Sequence, residues 1–293
     1  MSASMRVLSL VGLLLSCVAA RADEADISKA LKDKGVAVTE TKGVVTGVSV
    51  KAGDTLTDAD FAHIGKLSQL KTLDINKGLN DERLALLGGL SELQYLQTNL
   101  AQVTDDGLKP LARLKNLRNL KFFHPGKEFS GAGLAHLAEL PNLQQLTVAG
   151  SYAFNDEGLA AVARLPQLHE FRTWHAGSTD EGVKKLAAMK NLKSLYLGQR
   201  LTYKPPACPS DATVAIVADM KMLEALELHE ARLSLKALGQ LKQLANLKKL
   251  TLGGVEITKA DVEQLQKELP GVKISWTEPN EIYQKRINAL FGK

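Results

Sequence analysis

Residues 103–123 read VTDDGLKPLARLKNLRNLKFF, and this stretch holds one complete unit of a pattern that recurs along the chain. The apolar residues that follow Thr104 are Leu108, Leu111, Leu114, Leu117, Leu120 and Phe122. They are three positions apart, except that the last two are two positions apart. A spacing of three lays a stripe along a short helix, whereas a spacing of two suits a half-buried strand. Each unit therefore predicts a helix followed by a strand.

The unit is repeated about nine times, and each copy begins with a residue that suits a helix N-terminus. Ser, Thr and Asn fit there because a side-chain oxygen can accept a backbone N–H that the first helical turn leaves unpaired. Aspartate follows six of these residues, where its charge suits the positive end of the helix dipole. The nine predicted caps are Thr57, Asn80, Thr104, Ser130, Asn155, Thr179, Ser210, Ser234 and Thr258.

The repeat length decides the architecture. A unit of roughly 24 residues cannot bury its own apolar stripe, but stacked copies share one continuous core in which each unit contacts its neighbours. The periodicity therefore predicts a solenoid.

Two segments carry a family resemblance: Val103 to Leu108 with Leu111 to Leu114, and Leu67 to Ile75. They resemble leucine-rich repeats, in the helix-bearing (cysteine-containing or ribonuclease-inhibitor-like) subtype, and are similar to repeats of bacterial secreted proteins and F-box proteins. The resemblance covers about residues 44–276. It implies a right-handed α/β solenoid of about nine repeats, with a parallel β-sheet on the concave side and helices on the convex side, and it implies protein partners.

The chain departs from this family at two kinds of position. The consensus places Asn or Cys just past the strand, whereas the chain has other residues there, so these turns are expected to differ in geometry from copy to copy. They are Gly78, Ala101, Pro125, Ser151, Ala176, Arg200, Ala231 and Val255. The sixth unit is also enlarged, and its prolines predict a protruding loop over residues 198–210.

The first 22 residues have the pattern of a secretory signal peptide: Arg6, an apolar run from Val7 to Ala20, and small residues at Ala20 and Ala22. The interpretation is an exported protein of bacterial origin, periplasmic or extracellular, with no membrane span in the mature chain. Lipid attachment at Cys17, in a segment resembling a lipobox, is the alternative. Cleavage leaves Cys208 as the lone cysteine, either an idle thiol or a reactive one.

The ends of the solenoid need covers for their apolar faces. Residues 23–50 are predicted to form an N-terminal cap of a helix and a first strand, and residues 51–276 the repeats. Residues 277–293 are predicted to form a C-terminal capping helix; a helix that docks a partner is the alternative.

Composition and motifs argue against several classes of function. Without Arg6 and Arg21 the chain has 35 basic and 32 acidic residues, a balance that does not indicate nucleic acid. The six histidines form no metal-ligand spacing, and no phosphate-binding loop follows a strand. We therefore expect no catalytic residues, no metal and no cofactor.

Alternation along the strands assigns one set of side chains to water on the concave face. This set holds several of the 14 aromatic residues together with two cations. Such side chains often dominate binding energy at interfaces. The predicted ligand-binding residues are Tyr95, Lys121, Phe123, Arg172, Trp174 and Tyr196. Alternatively, Phe123 and Trp174 only cover the ends of the leucine core.

The function expected from these observations is a non-catalytic, exported scaffold that recognises a protein partner through its concave face. Two alternatives stay open. A shallow aromatic row also suits sugar rings, which would make the chain a glycan or cell-wall-ligand binding module. The repeats could also be purely structural.

Overall fold

The computed structural model describes residues 23–200 and 206–292. Within them, eleven strands form one sheet in chain order. The first pair is antiparallel, and every later pair is parallel. The strands are β1 (Ala37–Thr41), β2 (Val44–Val50), β3 (Thr72–Asn76), β4 (Tyr95–Asn99), β5 (Asn119–Phe123), β6 (Gln145–Ala149), β7 (Glu170–Trp174), β8 (Ser194–Gly198), β9 (Ala225–His229), β10 (Lys249–Gly253) and β11 (Lys273–Thr277).

A helix connects each parallel strand to the next. The α-helices are α1 (23–33), α2 (Asp58–Gly65), α3 (Asp81–Leu86), α4 (Asp156–Val162), α5 (Asp180–Leu186), α6 (Asp211–Val217), α7 (Leu235–Leu238), α8 (Lys259–Glu268) and α9 (Glu281–Phe291). The 3₁₀ helices are Gly53–Thr55, Asp106–Arg113, Ala132–Leu137 and Gly239–Gln243. Two complete repeats thus have a 3₁₀ helix where the pattern suggests an α-helix. Pro110 lies inside one of them, and Gly131 precedes the other in a left-handed conformation.

Seven of the nine predicted caps are confirmed as the N-cap residue, whereas Thr104 and Ser130 lie one position before the N-caps of the two 3₁₀ helices, Asp105 and Gly131. In every copy the side-chain oxygen of the capping residue accepts a backbone N–H two or three residues later; the N···O distance is 2.9 Å at Asn80 and 3.2 Å at Thr104. These bonds satisfy groups that the first turn leaves unpaired, so the caps fix where each helix begins.

The aspartate after the cap has a second role that the sequence pattern did not reveal. The Asp81 carboxylate accepts from the backbone N and the Oγ1 of Thr104, the next cap along the chain, at 2.9 and 2.7 Å. The same pair of bonds joins Asp105 to Ser130, Asp156 to Thr179 and Asp211 to Ser234, whereas Asp180 accepts from the Ser210 hydroxyl but not from its backbone N. These aspartates therefore connect consecutive repeats as well as complementing the helix dipole.

The expectation that the turns after the strands differ in geometry is wrong for seven of eight copies and holds only for the enlarged one, where Gln199 follows β8. The residue directly after the strand has a positive φ in seven copies: Lys77, Leu100, His124, Gly150, His175, Glu230 and Gly254. In six of these copies its N–H continues the parallel ladder by one bond; His124 N, for example, donates to Ala149 O at 2.7 Å, whereas Gly254 N donates to Thr277 Oγ1. Backbone hydrogen bonds thus impose one turn geometry without an Asn or Cys side-chain ladder.

The strand and helix leucines meet in one continuous core, which also contains a line of buried phenylalanines. Phe122, Phe129, Phe154 and Phe171 follow one another with ring centroids 5.1 to 6.4 Å apart. None of the helices described combines the length and apolar character that crossing a bilayer requires.

The ends of the sheet differ from each other. At the N-terminus, β1 and β2 form a hairpin beside α1, and the sequence pattern identified α1 and β2 but not β1. At the C-terminus, α9 packs against the turns that follow β9 and β10. Ile287 and Leu290 are buried there, and the Arg232 guanidinium donates to Gly292 O at 2.6 Å.

The enlarged sixth repeat is held by hydrogen bonds on both sides of residues 201–205. Those five residues, like the predicted signal peptide at 1–22, lie outside the described residues. Buried Gln199 accepts through its side chain from the backbone N–H of Arg200 and of Cys208, each at 3.0 Å. The Arg200 guanidinium in turn donates to Pro206 O and Gly177 O. Residues 199 and 208 are thereby held together.

Cys208 is 4% exposed, and burial raises the pKa of its thiol to about 12. Because the thiolate is the reactive form, we expect the folded chain starting at Asp23 to react with Ellman's reagent at pH 8 roughly a thousandfold more slowly than the unfolded chain. The urea-unfolded protein should release one equivalent of chromophore. Equal rates for folded and unfolded protein would contradict this prediction.

Candidate functional site

The strand register places all six predicted ligand-binding residues on the water-facing side of the sheet, where each is partly exposed. Tyr95 lies on β4, Lys121 and Phe123 on β5, Arg172 and Trp174 on β7, and Tyr196 on β8. Their neighbours along each strand are buried in the core. Trp174 therefore points away from the leucine interior.

Two of the six residues form a separate group toward the N-terminal part of the sheet. The Lys121 ammonium lies 5.2 Å from the centroid of the Tyr95 ring. The Tyr95 hydroxyl donates to Gln97 at 2.6 Å, and the Gln97 amide donates to Asp74 at 3.2 Å. This group joins β3, β4 and β5 through side chains.

The other aromatic residues form a continuous line across β5 to β9, which we call the aromatic row: Phe123, Trp174, Tyr196 and His229. The ring centroids are 6.0 Å apart between Phe123 and Trp174, 5.0 Å between Trp174 and Tyr196, and 4.5 Å between Tyr196 and His229. Sequence reasoning did not include His229 among the site residues, although its position in the strand pattern is the same as that of Trp174.

Small residues alternate with large ones and make room for the row. Ala149 lies between Phe123 and Trp174 in the strand order and is buried. A Cβ atom on Gly198 would lie 2.4 Å from the Trp174 Cβ, and one on Gly253 would lie 2.3 Å from the His229 ring. The large rings of alternate strands thus lean over the small residues between them, which explains how Phe123 and Trp174 meet although they are two strands apart.

Tyr196 is enclosed on both faces. The Arg172 guanidinium lies 4.5 Å from its ring centroid, and the His229 ring stacks at 24° to it. Arg172 is itself held at 3.6 Å from both Glu170 and Glu227. Burial raises the pKa of the Tyr196 hydroxyl to about 12, so it stays protonated and can donate a hydrogen bond. The ring of Tyr196 is therefore already in contact with Arg172 and His229 before any ligand arrives.

The C-terminal end of the row is joined to α9 by a buried carboxylate. Glu230 is 6% exposed and contacts His175 Nε2 at 2.9 Å and the Arg286 guanidinium at 3.1 Å. Burial opposes ionisation of Glu230, but the hydrogen bonds and charges of His175 and Arg286 outweigh it, so its pKa lies below the usual value. Burial lowers the pKa of His229, which favours a neutral ring at pH 7. Sequence reasoning missed Glu230 and Arg286 because no local pattern connects residues 56 positions apart.

The chemistry of this surface is that of contact and hydrogen bonding. Within residues 23–200 and 206–292, no cluster of three or more His, Cys, Asp or Glu side chains has an arrangement that could hold a metal ion.

No protein-family model matches the chain. A protein of Caenorhabditis elegans named "Putative RNA-binding protein EEED8.10" is 29% identical over 174 residues, which covers 55% of this chain and 22% of that protein. The chain thus spans about a fifth of the length of this curated relative.

Two solved structures are similar in fold. An internalin (inlF) from Listeria monocytogenes str. 4b F2365 is 18% identical, with 75% of this chain and 71% of that chain covered at a TM-score of 0.46. TLR13, in its complex with ssRNA13, is 17% identical, with 77% of this chain and 35% of that chain covered at a TM-score of 0.45. The repeated cap, helix and parallel strand of this chain themselves make its fold a leucine-rich-repeat solenoid.

Proposed function

We propose that this chain is an exported, non-catalytic recognition scaffold that binds a protein partner through the concave face, with the aromatic row and Lys121 at the centre of the contact. The observation that carries the proposal is the line of four ring side chains on the water-facing side of a sheet whose other face is the core. Large rings and arginine on such a surface are typical of the residues that dominate protein interfaces.

The contacts around the row support this proposal because they hold the side chains in place before a partner arrives. Arg172 is fixed by two glutamates and by Tyr196, and Tyr196 is fixed by Arg172 and His229. A surface that is already ordered loses little side-chain entropy on binding. This order before binding supports a recognition role for the concave face.

The same contacts favour a protein over a glycan or an RNA strand. Sugars and unpaired bases bind by stacking on ring faces. Both faces of Tyr196 are occupied, and Lys121 lies over one face of Tyr95. The cation Arg172 is also neutralised by Glu170 and Glu227, which leaves little attraction for phosphate.

The proposal is tested by replacing Trp174 with alanine. We expect the variant to bind its partner at least 30-fold more weakly, since truncation of a central aromatic hot spot costs about 2 kcal/mol or more. The partner would be isolated by capture from an envelope extract of the source organism on the immobilised chain, identified by mass spectrometry, and its dissociation constant measured by calorimetry.

Leu86→Ala is the matched control, because Leu86 is a 39% exposed apolar side chain on α3, away from the strands. This variant should bind like the parent chain, and both variants should keep nearly the parental Tm. Equal binding by the Trp174 variant would contradict the proposal. Selective binding on a glycan array, with no protein captured, would favour the glycan-binding alternative.

A further inference from the structure

A basic patch lies on the edge of the solenoid where the strands begin, on the opposite side from the turns that α9 covers. The turns that lead from helix to strand, counted with the last residue of each preceding helix, carry ten lysines and arginines: Lys66, Lys71, Arg113, Lys115, Arg118, Arg164, Lys190, Lys193, Lys221 and Lys248. They carry five carboxylates: Glu92, Glu139, Asp219, Glu224 and Glu268. The small net charge of the chain therefore conceals an uneven distribution, since many acidic residues lie at the helix starts near the other edge.

The centre of this patch consists of five cations, which we call the basic edge: Arg113, Lys115, Arg118, Arg164 and Lys190. All five are exposed. The described residues place no carboxylate in ion-pair contact with any of them, whereas neighbouring Lys193 shares Glu224 with Lys248. These turns lead into β5, β7 and β8, so the cations fall within about three strand spacings, or roughly 14 Å.

A structural role explains only part of this arrangement. A cation at a helix C-terminus is stabilised by the helix dipole, which accounts for Arg113 and Arg164, the first at the end of a 3₁₀ helix and the second just past α4. Arg118 and Lys190 lie later in their turns, beyond the range of that effect. The five cations of the basic edge share these turns with one carboxylate, Glu139, and this excess of positive charge indicates a surface suited to an anionic partner.

The features of the edge favour a membrane surface over a nucleic acid. No Phe, Tyr or Trp side chain lies in the turns 113–118, 138–144, 163–169 and 187–193, so His169 is the one ring in these turns on which an unpaired base could stack. Met222 lies on the same edge in the turn before β9 and is 45% exposed, next to Lys221. A row of cations beside an exposed apolar side chain fits the headgroup layer of a bilayer.

We propose that the basic edge docks this protein on a membrane surface that contains anionic phospholipids. The docked orientation leaves the concave face free, because the basic edge and the aromatic row lie on different sides of the solenoid. This proposal does not depend on the identity of any concave-face partner.

The test is co-sedimentation of the chain starting at Asp23 with lipid vesicles. We expect binding to vesicles of phosphatidylcholine with about one third phosphatidylglycerol at about 0.1 M salt, little binding to phosphatidylcholine alone, and loss of binding at about 0.5 M salt. Neutralising four cations of the edge should weaken partitioning about 100-fold. The variant is Arg113→Gln, Arg118→Gln, Arg164→Gln and Lys190→Gln.

A matched control removes the same charge elsewhere, with Lys77→Gln, Lys127→Gln, Lys236→Gln and Lys259→Gln, all exposed and away from this edge. Its partitioning should fall less than about threefold. An equal loss in both variants would overturn the proposal, since net charge alone would then drive binding. Equal binding to neutral vesicles, or binding to an RNA duplex without binding to anionic vesicles, would overturn it as well.

Discussion

Replacing Phe154 with alanine is expected to lower the free energy of unfolding by about 4 kcal/mol. The Phe154 side chain is fully buried between Phe129 and Phe171, whose ring centroids each lie 6.4 Å away. The adjacent backbone also limits relaxation: a Cβ on Gly131 or Gly158 would come within 2.4 or 2.6 Å of the ring. The alanine variant therefore leaves a cavity that its surroundings cannot easily fill.

The position of Phe154 in the array increases the effect. Each repeat of a solenoid is stabilised by its two neighbours, and Phe154 lies at a central junction where the void weakens both contacts. Urea denaturation followed by circular dichroism would measure the change. Phe154→Leu, which keeps most of the apolar volume, should lose about 1 kcal/mol. A loss below 1 kcal/mol for the alanine variant would show that adjacent repeats close around the gap.

Replacing Asp105 with alanine is expected to destabilise the protein by about 3 kcal/mol. The two carboxylate oxygens accept from Ser130 Oγ at 2.6 Å, Ser130 N at 3.2 Å, Gly131 N at 2.9 Å and Gly133 N at 3.0 Å. Hydrogen bonds to a charged acceptor are stronger than neutral ones. Alanine would leave partly buried backbone donors without partners between two repeats.

The neighbouring Asp106 provides the control. It is exposed and pairs only with Lys109 at 2.7 Å on the same 3₁₀ helix. Asp106→Ala should change the free energy of unfolding by less than about 0.5 kcal/mol, as measured by the same urea titration. If both variants lost the same stability, the aspartate would act through the helix dipole and not through the link between repeats.

The repeat pattern predicted most of the architecture. The nine caps and the concave rows match the observed hydrogen bonds and strand register, because caps and alternating burial depend on residues close together in sequence. The same local signals could not distinguish a 3₁₀ from an α-helix at Pro110, nor detect β1. They also suggested variable turns, because the backbone ladder that fixes His124 or Glu230 in the left-handed region leaves no trace in side-chain identity.

The candidate site was predicted as a set of positions but not as an arrangement. The sequence indicates that Trp174 and Tyr196 face water, yet it does not show that Arg172 and His229 enclose Tyr196. The alternation of Ala149, Gly198 and Gly253 with large rings was present in the strand pattern. The packing role of these small residues depends on large side chains from neighbouring strands, which are about 25 positions away in the sequence.

The sequence by itself determined the solenoid, its register and which side chains face water, because these follow from the spacing of apolar residues and from caps that act within one turn of helix. Only the tertiary structure decided which of those side chains meet. The packing of the aromatic row, the contact of Glu230 with Arg286 on α9, and the gathering of exposed cations on one edge all join residues from different repeats. Their distances depend on how the repeats stack, which no local pattern records.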